Sequence, residues 1–270
     1  MQEALKISSV QNPKIKELLL LQQKSSERRK TGLFVVEGRR EVEHCLAAGY
    51  EVKSLFVSEA LRANTEELGL STLASSNHHC SLFTINSSVY EKVAYRGSTE
   101  GVIAVVAAKQ HRLEDLKLRE HPLIVVLESV EKPGNLGAVL RSADAAQADA
   151  VIVCDPLTDL YNPNLIRSSL GAVFTVPTVA CSSRQCISFF RQHHIQILTA
   201  QLQDSRPYYD TPMTQGTAIV MGTESTGLTE QWRQAATAHI RIPMLGRLDS
   251  LNVSVSAAIL LFEAVRQRQA

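Results

Sequence analysis

Apolar positions in the first hundred residues recur in two alternating rhythms. Asn12-Pro13 sets a cap and a proline at a first helical position, and Ile15, Leu18, Leu19 and Leu21 follow on one helical face. A short apolar run over 33–36 reads as a strand. Residues 41–48 read as a helix with Val42, Cys45 and Leu46 inward and Gly49 as its stop. The alternation continues through a strand over 52–57, a helix over 59–68, a strand over 81–85, a capped helix over 86–93 and a buried strand over 101–108. Strands alternating with short helices predict a small α/β sandwich domain over residues 1–108.

Residues 109–121 break the pattern. The run Lys-Gln-His-Arg-Leu-Glu-Asp-Leu-Lys-Leu-Arg-Glu-His offers few apolar side chains to a core and reads as a linker. Beyond it, Leu123-Ile-Val-Val-Leu127 is uninterrupted and rich in β-branched residues, the signature of a strand buried on both faces of a parallel sheet. A loop holding Pro133, Gly134 and Gly137 leads into a helix ending near Gln147. Further strands are predicted over 150–154, 172–176, 195–199, 218–221 and 239–242, with helices between them and a final helix over 253–268. Residues 122–270 therefore predict a second α/β domain built on a mostly parallel sheet.

Composition narrows the class without deciding it. The 270 residues suffice for two domains, and 44% hydrophobic with 20% charged residues is ordinary for globular chains. The longest apolar stretches, such as 257–262, are too short to span a bilayer. The start, Met-Gln-Glu-Ala-Leu-Lys, lacks the apolar core of a signal peptide, so a cytoplasmic location and no membrane partner are expected. Cys45, Cys80, Cys154, Cys181 and Cys186 are scattered, odd in number and free of any C-x-x-C, which fits reduced thiols. The pairs His78-His79 and His193-His194 have no partner ligands at a usable spacing, and no metal is expected.

Charge is unevenly spread. The chain carries 28 basic and 27 acidic residues, but the first forty hold nine basic against four acidic, leaving the remaining 230 with nineteen and twenty-three. A basic leading segment on a mildly acidic body suits phosphate binding as well as it suits a solvated helix face.

Ligands of open parallel sheets bind beyond the carboxyl ends of the strands, which draws attention to three loops. The first is Pro133-Gly134-Asn135-Leu136-Gly137-Ala138-Val139-Leu140-Arg141, where Asn135 could cap the following helix. Its G-x-x-G is not the dinucleotide fingerprint G-x-G-x-x-G, which weighs against a nicotinamide oxidoreductase. The second is Met221-Gly222-Thr223-Glu224-Ser225-Thr226-Gly227-Leu228, in which Glu224 serves equally as a helix-end charge. The third runs Ile242-Pro243-Met244-Leu245-Gly246-Arg247-Leu248-Asp249-Ser250-Leu251-Asn252-Val253-Ser254-Val255-Ser256, with Ser250 and Asn252 where the final helix starts.

Taken together, N-L-G-A-V-L-R, G-T-E-S-T-G-L and I-P-M followed by S-L-N-V-S-V-S resemble, in order and spacing, the three motifs of the TrmH/SpoU family of the SPOUT superfamily. Ile7-Ser-Ser-Val-Gln-Asn-Pro-Lys-Ile-Lys and Phe34-Val-Val-Glu-Gly-Arg are similar to the leading substrate-binding domain found in that family, so the likeness spans nearly the whole chain. It implies an L30e-like α/β sandwich followed by a SPOUT-type α/β domain with a deep C-terminal trefoil knot, acting as a homodimer whose sites are completed near the interface. It implies S-adenosylmethionine as cofactor, with contacts carried onto Gly222, Ile242, Leu251, Met244 and Val253, and methylation of a ribose 2′-hydroxyl. Arg141, Asn135, Glu224, Ser250 and Asn252 match the catalytic or substrate-positioning residues of the family. A guanidinium stays charged at neutral pH, so a phosphate clamp suits Arg141 better than the role of base.

Two departures stand out: Lys132 precedes Pro133 where an acid is frequent, and Ser225-Thr226 stand where smaller residues are frequent. Both bear on substrate detail more than on activity. The expected substrate is RNA, ribosomal in preference to transfer RNA, with Arg28, Arg29, Lys30, Arg39 and Arg40 as phosphate contacts. The alternatives are a transfer-RNA methyltransferase and a non-catalytic RNA-binding assembly factor.

Overall fold

Five strands form the sheet of the leading unit in a computed structural model that describes residues 4–60, 80–95, 101–223 and 226–269. They are β1 (Leu5–Ile7), β2 (Leu33–Glu37), β3 (Val52–Ser58), β4 (Ser81–Ile85) and β5 (Val102–Ala107), in the order β1-β4-β3-β5-β2. Strands β1, β4 and β3 run parallel, whereas β5 is antiparallel to both β3 and β2. The Pro13–Gln23 helix starts where the sequence predicts, with the Asn12 side chain accepting from the Lys14 N–H at 2.9 Å. Its buried face of Ile15, Leu18 and Leu21 packs with Val35, Phe56, Phe83 and Ile103 in one core, where the Phe56 and Phe83 rings stack at 5.1 Å. The helix expected over 59–68 lies, past its first two residues, outside the described residues.

Arg28 corrects one reading. It is only 6% exposed, and its guanidinium donates to the carbonyl oxygens of Leu21 at 2.6 Å and Gln22 at 3.2 Å. These are final carbonyls of the Pro13–Gln23 helix, which have no partner within the helix and favour a cation. Arg28 caps this helix and is not presented to phosphates.

The leading unit comprises Met1–Lys109 and Tyr161–Gly171; the second comprises Gln110–Leu160 and Ala172–Ala270. The boundary therefore differs from the single linker expected over 109–121. Segment 161–171 joins the first unit because Tyr161 stacks on Phe34 at 4.2 Å and its hydroxyl exchanges hydrogen bonds with the Lys109 backbone. Most of the expected linker belongs to the second unit, where Leu113 is buried and Leu116 and Leu118 pack on the core. Arg119 adds a two-pronged pair with Asp149, both contacts at 2.8 Å, while Asp149 also accepts from the Leu123 N–H at 2.7 Å. Burial alone would raise the Asp149 carboxyl; these donors reverse that and hold it below its ordinary range.

The second sheet is wholly parallel. Strands β6 (Leu123–Glu128), β7 (Ala150–Cys154), β8 (Thr178–Cys181), β9 (Gln196–Ala200), β10 (Arg206–Pro207), β11 (Thr217–Met221) and β12 (Ala238–Arg241) lie in the order β10-β12-β9-β11-β6-β7-β8. Every residue of β6, β7 and β11 is buried, as strands covered on both faces require. Their side chains share a core with Phe190 and Trp232 from the helices Ser183–Gln192 and Glu230–Ala235. Among the described residues no helix is long and apolar enough to cross a membrane.

Two elements differ from the sequence pattern. The apolar run over 172–176, expected as a strand, is a short helix, Ala172–Thr175, and the strand is Thr178–Cys181 just after it. Both Leu170 and Gly171 have positive φ, so the chain reverses there and re-enters helically; Pro177 then favours the extended path that follows. The segment 133–137, expected as a loop, forms the first turns of the Pro133–Ala145 helix, with Pro133 at its first position. Asn135 is therefore inside the helix and does not cap it.

Candidate active site

Strand order reverses at β6, because β7 and β8 extend the sheet to one side while β11, β9, β12 and β10 lie on the other. A crevice at such a reversal is where open α/β sheets place ligands. A cavity of about 380 Å³ lies to one side of it, beyond the carboxyl ends of β9, β11 and β12, within the range of roughly 300–1,000 Å³ common for small-molecule sites. Residues after β11 (Gly222, Thr223, Gly227 and Leu228), after β12 (Ile242 and Met244) and at the start of the final Val253–Gln269 helix (Ser250, Leu251, Val253 and Ser256) line it. A smaller cavity of about 120 Å³ adjoins it and shares Gly222, Thr223 and Val253, with Asn135, Glu131 and Lys132 completing its wall.

All five residues expected to hold a cofactor thus converge on one space. The three motifs also meet: Asn252 Nδ2 donates to Asn135 Oδ1 at 3.2 Å, joining the first motif to the third. Asn252 Oδ1 in turn accepts from the Ser254 N–H at 3.0 Å and its hydroxyl at 2.6 Å, so the amide serves both the helix start and the site. Ser250 is exposed and lines the larger cavity, with its hydroxyl 3.3 Å from Asp249. Glu224 lies outside the described residues.

Arg141 is not brought to the same place. It is exposed and lines neither cavity of its own chain. Six residues separate it from Asn135 on one helix, which at 100° and 1.5 Å per residue turns it about 120° away and about 9 Å along the axis.

Gly222 is required by the fold of its own loop. A Cβ there would collide with the backbone carbonyl of Gly227 and the amide nitrogen of Leu228. The loop folds back on itself through paired backbone hydrogen bonds between Thr223 and Gly227, at 3.1 and 3.3 Å, and the missing side chain makes that return possible.

Several lining residues lie outside the three motifs. Gln201, Leu202 and Gln203 follow β9, whose carboxyl end flanks β11, so the strand-end rule could have found them had the pattern over 195–199 been followed one turn further. Gln201 Oε1 and Arg233 Nε are buried with no hydrogen-bond partner, and both residues line the larger cavity. One free acceptor and one free donor beside the apolar Leu202, Met221, Leu228 and Ile240 suit a ligand with a flat apolar body and polar edges. The residues present fit an adenosyl cofactor.

Glu128, at the carboxyl end of β6, is 2% exposed and holds the second loop from behind. Its oxygens accept from the Thr229 N–H at 2.8 Å and the Thr229 hydroxyl at 2.7 Å. Thr229 is the cap residue of the Glu230–Ala235 helix, and the carboxylate holds both its N–H and its hydroxyl, placing a negative charge at the start of that helix. Ser183 Oγ lies 3.2 Å from Glu128 and 2.6 Å from Asp155, and accepts from Trp232 Nε1 at 2.9 Å. Glu128→Ala is expected to lower stability by about 1.5–3 kcal/mol, the scale for hydrogen bonds to a charged group. Urea unfolding would measure it; an unchanged midpoint would remove this network from the account of the loop.

These features define a ligand-binding α/β domain with an adenosyl-sized site beyond the carboxyl ends of its parallel strands. Residues 122–262 match the SpoU rRNA methylase family, and residues 12–104 match an MRM3-like substrate-binding domain. The chain belongs to the SpoU rRNA methylase family. A relative from Bacillus subtilis (strain 168), the 23S rRNA (guanosine(2553)-2′-O)-methyltransferase RlmP, is 29% identical over 95% of this chain and 97% of its own length. A solved RNA 2′-O ribose methyltransferase superposes with a TM-score of 0.84 at 38% identity, covering 98% of this chain and all of the other. An AdoMet-bound rRNA methyltransferase from Sinorhizobium meliloti gives 0.89 at 28% identity, covering 97% and 98%. The chain is accordingly an S-adenosylmethionine-dependent RNA methyltransferase of the ribose 2′-O class.

Proposed function

We propose that the protein methylates a ribose 2′-hydroxyl of ribosomal RNA in the cytoplasm, as a homodimer whose C-terminal domain carries the family's trefoil knot. The observation that carries the reading is the meeting of three separated motifs at two adjoining cavities, Asn135 lining the smaller and the second and third motifs lining both, tied by the Asn252–Asn135 hydrogen bond. Support for the knot comes from the final helix, which lies against the Pro133–Ala145 helix and against both β6 and β11. Dimerisation is supported by Leu251, Val255 and Phe262, apolar side chains 39%, 47% and 48% exposed along the last helix and the loop before it.

Gly222, Ile242, Met244, Leu251 and Val253 would hold the cofactor, with Gln201 and Arg233 meeting its polar edges. S-adenosylmethionine supplies a methyl group on a sulfonium, and its neutral leaving group needs no acid. The protein's own residues then have two tasks, to align the 2′-oxygen and to ease loss of its proton. Asn135, Asn252 and Ser250 present amide and hydroxyl groups beside the cavity and orient the ribose. Glu224 is assigned by its motif position to orient a polar partner in the same site. Arg141, exposed on its own chain, reaches the site of the second copy and clamps the phosphate next to the target nucleotide.

The leading unit would dock RNA through Arg29, Lys30 and Arg40, which are exposed. Arg39 is half-buried and paired with Glu43 at 2.7 Å, which makes it a weaker contact. Methyl transfer from labelled S-adenosylmethionine to bulk RNA, followed by nucleoside digestion, tests the reading. Label is expected in a 2′-O-methylated nucleoside of large-subunit ribosomal RNA. Label confined to transfer RNA would move the substrate, and label on a base would overturn the reaction. Reversing Arg29 and Arg40 to glutamate should weaken RNA binding and flatten its salt dependence by up to about two phosphate contacts; binding that is unchanged across salt would argue against this face.

A further inference from the structure

Three of the five cysteines meet in the second unit, although 27 and then 5 positions separate them in sequence. Cys154 ends β7 and Cys181 ends β8, and the two are register partners on adjacent parallel strands. Paired residues on neighbouring strands point to the same face. The Ser183–Gln192 helix turns back over that face and brings Cys186 to it. The three sulfur atoms all lie within 4.8 Å of one another, and none is in a disulfide. Cys154 and Cys186 are fully buried, while Cys181 retains access to solvent.

Three sulfurs about 2.3 Å from a tetrahedral zinc ion stand about 3.8 Å apart. The present spacing reaches that by closing less than about 1 Å, which rotation of the thiol side chains can supply. We propose that Cys154, Cys181 and Cys186 form a binding site for one thiophilic divalent cation of the zinc class, its fourth position open to water beside Cys181. On binding, each thiol releases its proton to solvent as a sulfur–metal bond forms. A divalent ion leaves one net negative charge in this core, whereas a monovalent ion would leave two next to the Asp155 carboxylate; the divalent class is the better match.

None of the three cysteines lines the cofactor cavity. Cys154 is the register partner of Glu128, and Asp155 and Ser183 belong to the network that holds the second loop. The ion would therefore brace β7, β8 and the start of the following helix, acting on stability without touching the cofactor cavity.

The test is titration of the reduced full-length protein with Cd²⁺ alone, reading the thiolate-to-metal charge-transfer band. Saturation at one equivalent with the intensity of three thiolates is expected, with Zn²⁺ displacing the band in competition. Cys181→Ser should weaken binding about 100-fold or more, whereas Cys45→Ser and Cys80→Ser should leave it unchanged. Alkylation gives a readout independent of variants: one equivalent of Zn²⁺ should protect Cys181 in the native protein. A band of single-thiolate intensity, a band that survives in Cys181→Ser, or alkylation indifferent to Zn²⁺ would each overturn the site.

Discussion

Arg141→Ala is expected to slow methyl transfer by about 100–1,000-fold, the range seen when a fixed charge or donor is removed from a transition-state site, while cofactor affinity stays within about twofold. The expectation rests on where the helix leaves this residue. Asn135 faces the smaller cavity, and six residues later the helix has turned Arg141 out to solvent, lining no part of its own chain's site. A guanidinium on that surface gains nothing for cofactor binding. Its planar array of donors is suited to a phosphate, which it can hold in two places at once and so fix the ribose that follows. Isothermal titration with S-adenosylmethionine and single-turnover methylation would separate the two effects. Equal losses in both would place Arg141 inside the cofactor site, and near-normal turnover would remove it from the mechanism.

How much of this was legible in the sequence depends on the range of the interaction. The leading helix declared itself locally, through Asn12, Pro13 and the spacing of Ile15, Leu18 and Leu21, and it forms where expected. The buried strands β6, β7 and β11 were equally plain, because a parallel sheet needs uninterrupted apolar runs. Residues 133–137 misled because two glycines and a proline spell a loop, whereas proline at a first helical position and glycines free of positive φ are compatible with a helix. Arg28 looked like its exposed neighbours Arg29 and Lys30; only the packing of the helix end distinguishes it.

The site itself was legible as motifs but not as an arrangement. Nothing within the first loop indicates that Asn135 and Arg141 part company, or that Asn252 reaches across 117 positions to meet Asn135. Glu128, Gln201 and the cysteine cluster were hidden for the same reason: each acquires meaning only from strands that pair far along the chain. Parallel pairing brings distant strand ends together, and that is where this domain keeps its polar groups.

Gly222→Ala is the second large expected effect, and the side chain it adds is a single methyl. That methyl would overlap the Gly227 carbonyl and the Leu228 nitrogen, which are backbone atoms that no rotamer change can move. Relief requires the 222–228 loop to open, and opening it breaks the Thr223–Gly227 hydrogen-bond pair and reshapes the wall shared by both cavities. Overpacking of this kind costs about 1–3 kcal/mol or more, so S-adenosylmethionine affinity should fall about 10–100-fold or beyond. Methylation should fall with it at subsaturating cofactor. The domain should still fold, because β11 itself is undisturbed; a melting curve would check this. Mixing the two variants then joins both arguments. If Arg141 serves the second copy, a mixed dimer of Arg141→Ala and Gly222→Ala holds one intact site, made from the normal loop of the first chain and the arginine of the second. Remixing equal amounts should restore about a quarter of wild-type turnover, since half the dimers are mixed and each mixed dimer has one of two sites. No recovery on remixing, with exchange of subunits verified by mass, would mean that Arg141 acts within its own chain and that the helix must rotate to bring it there.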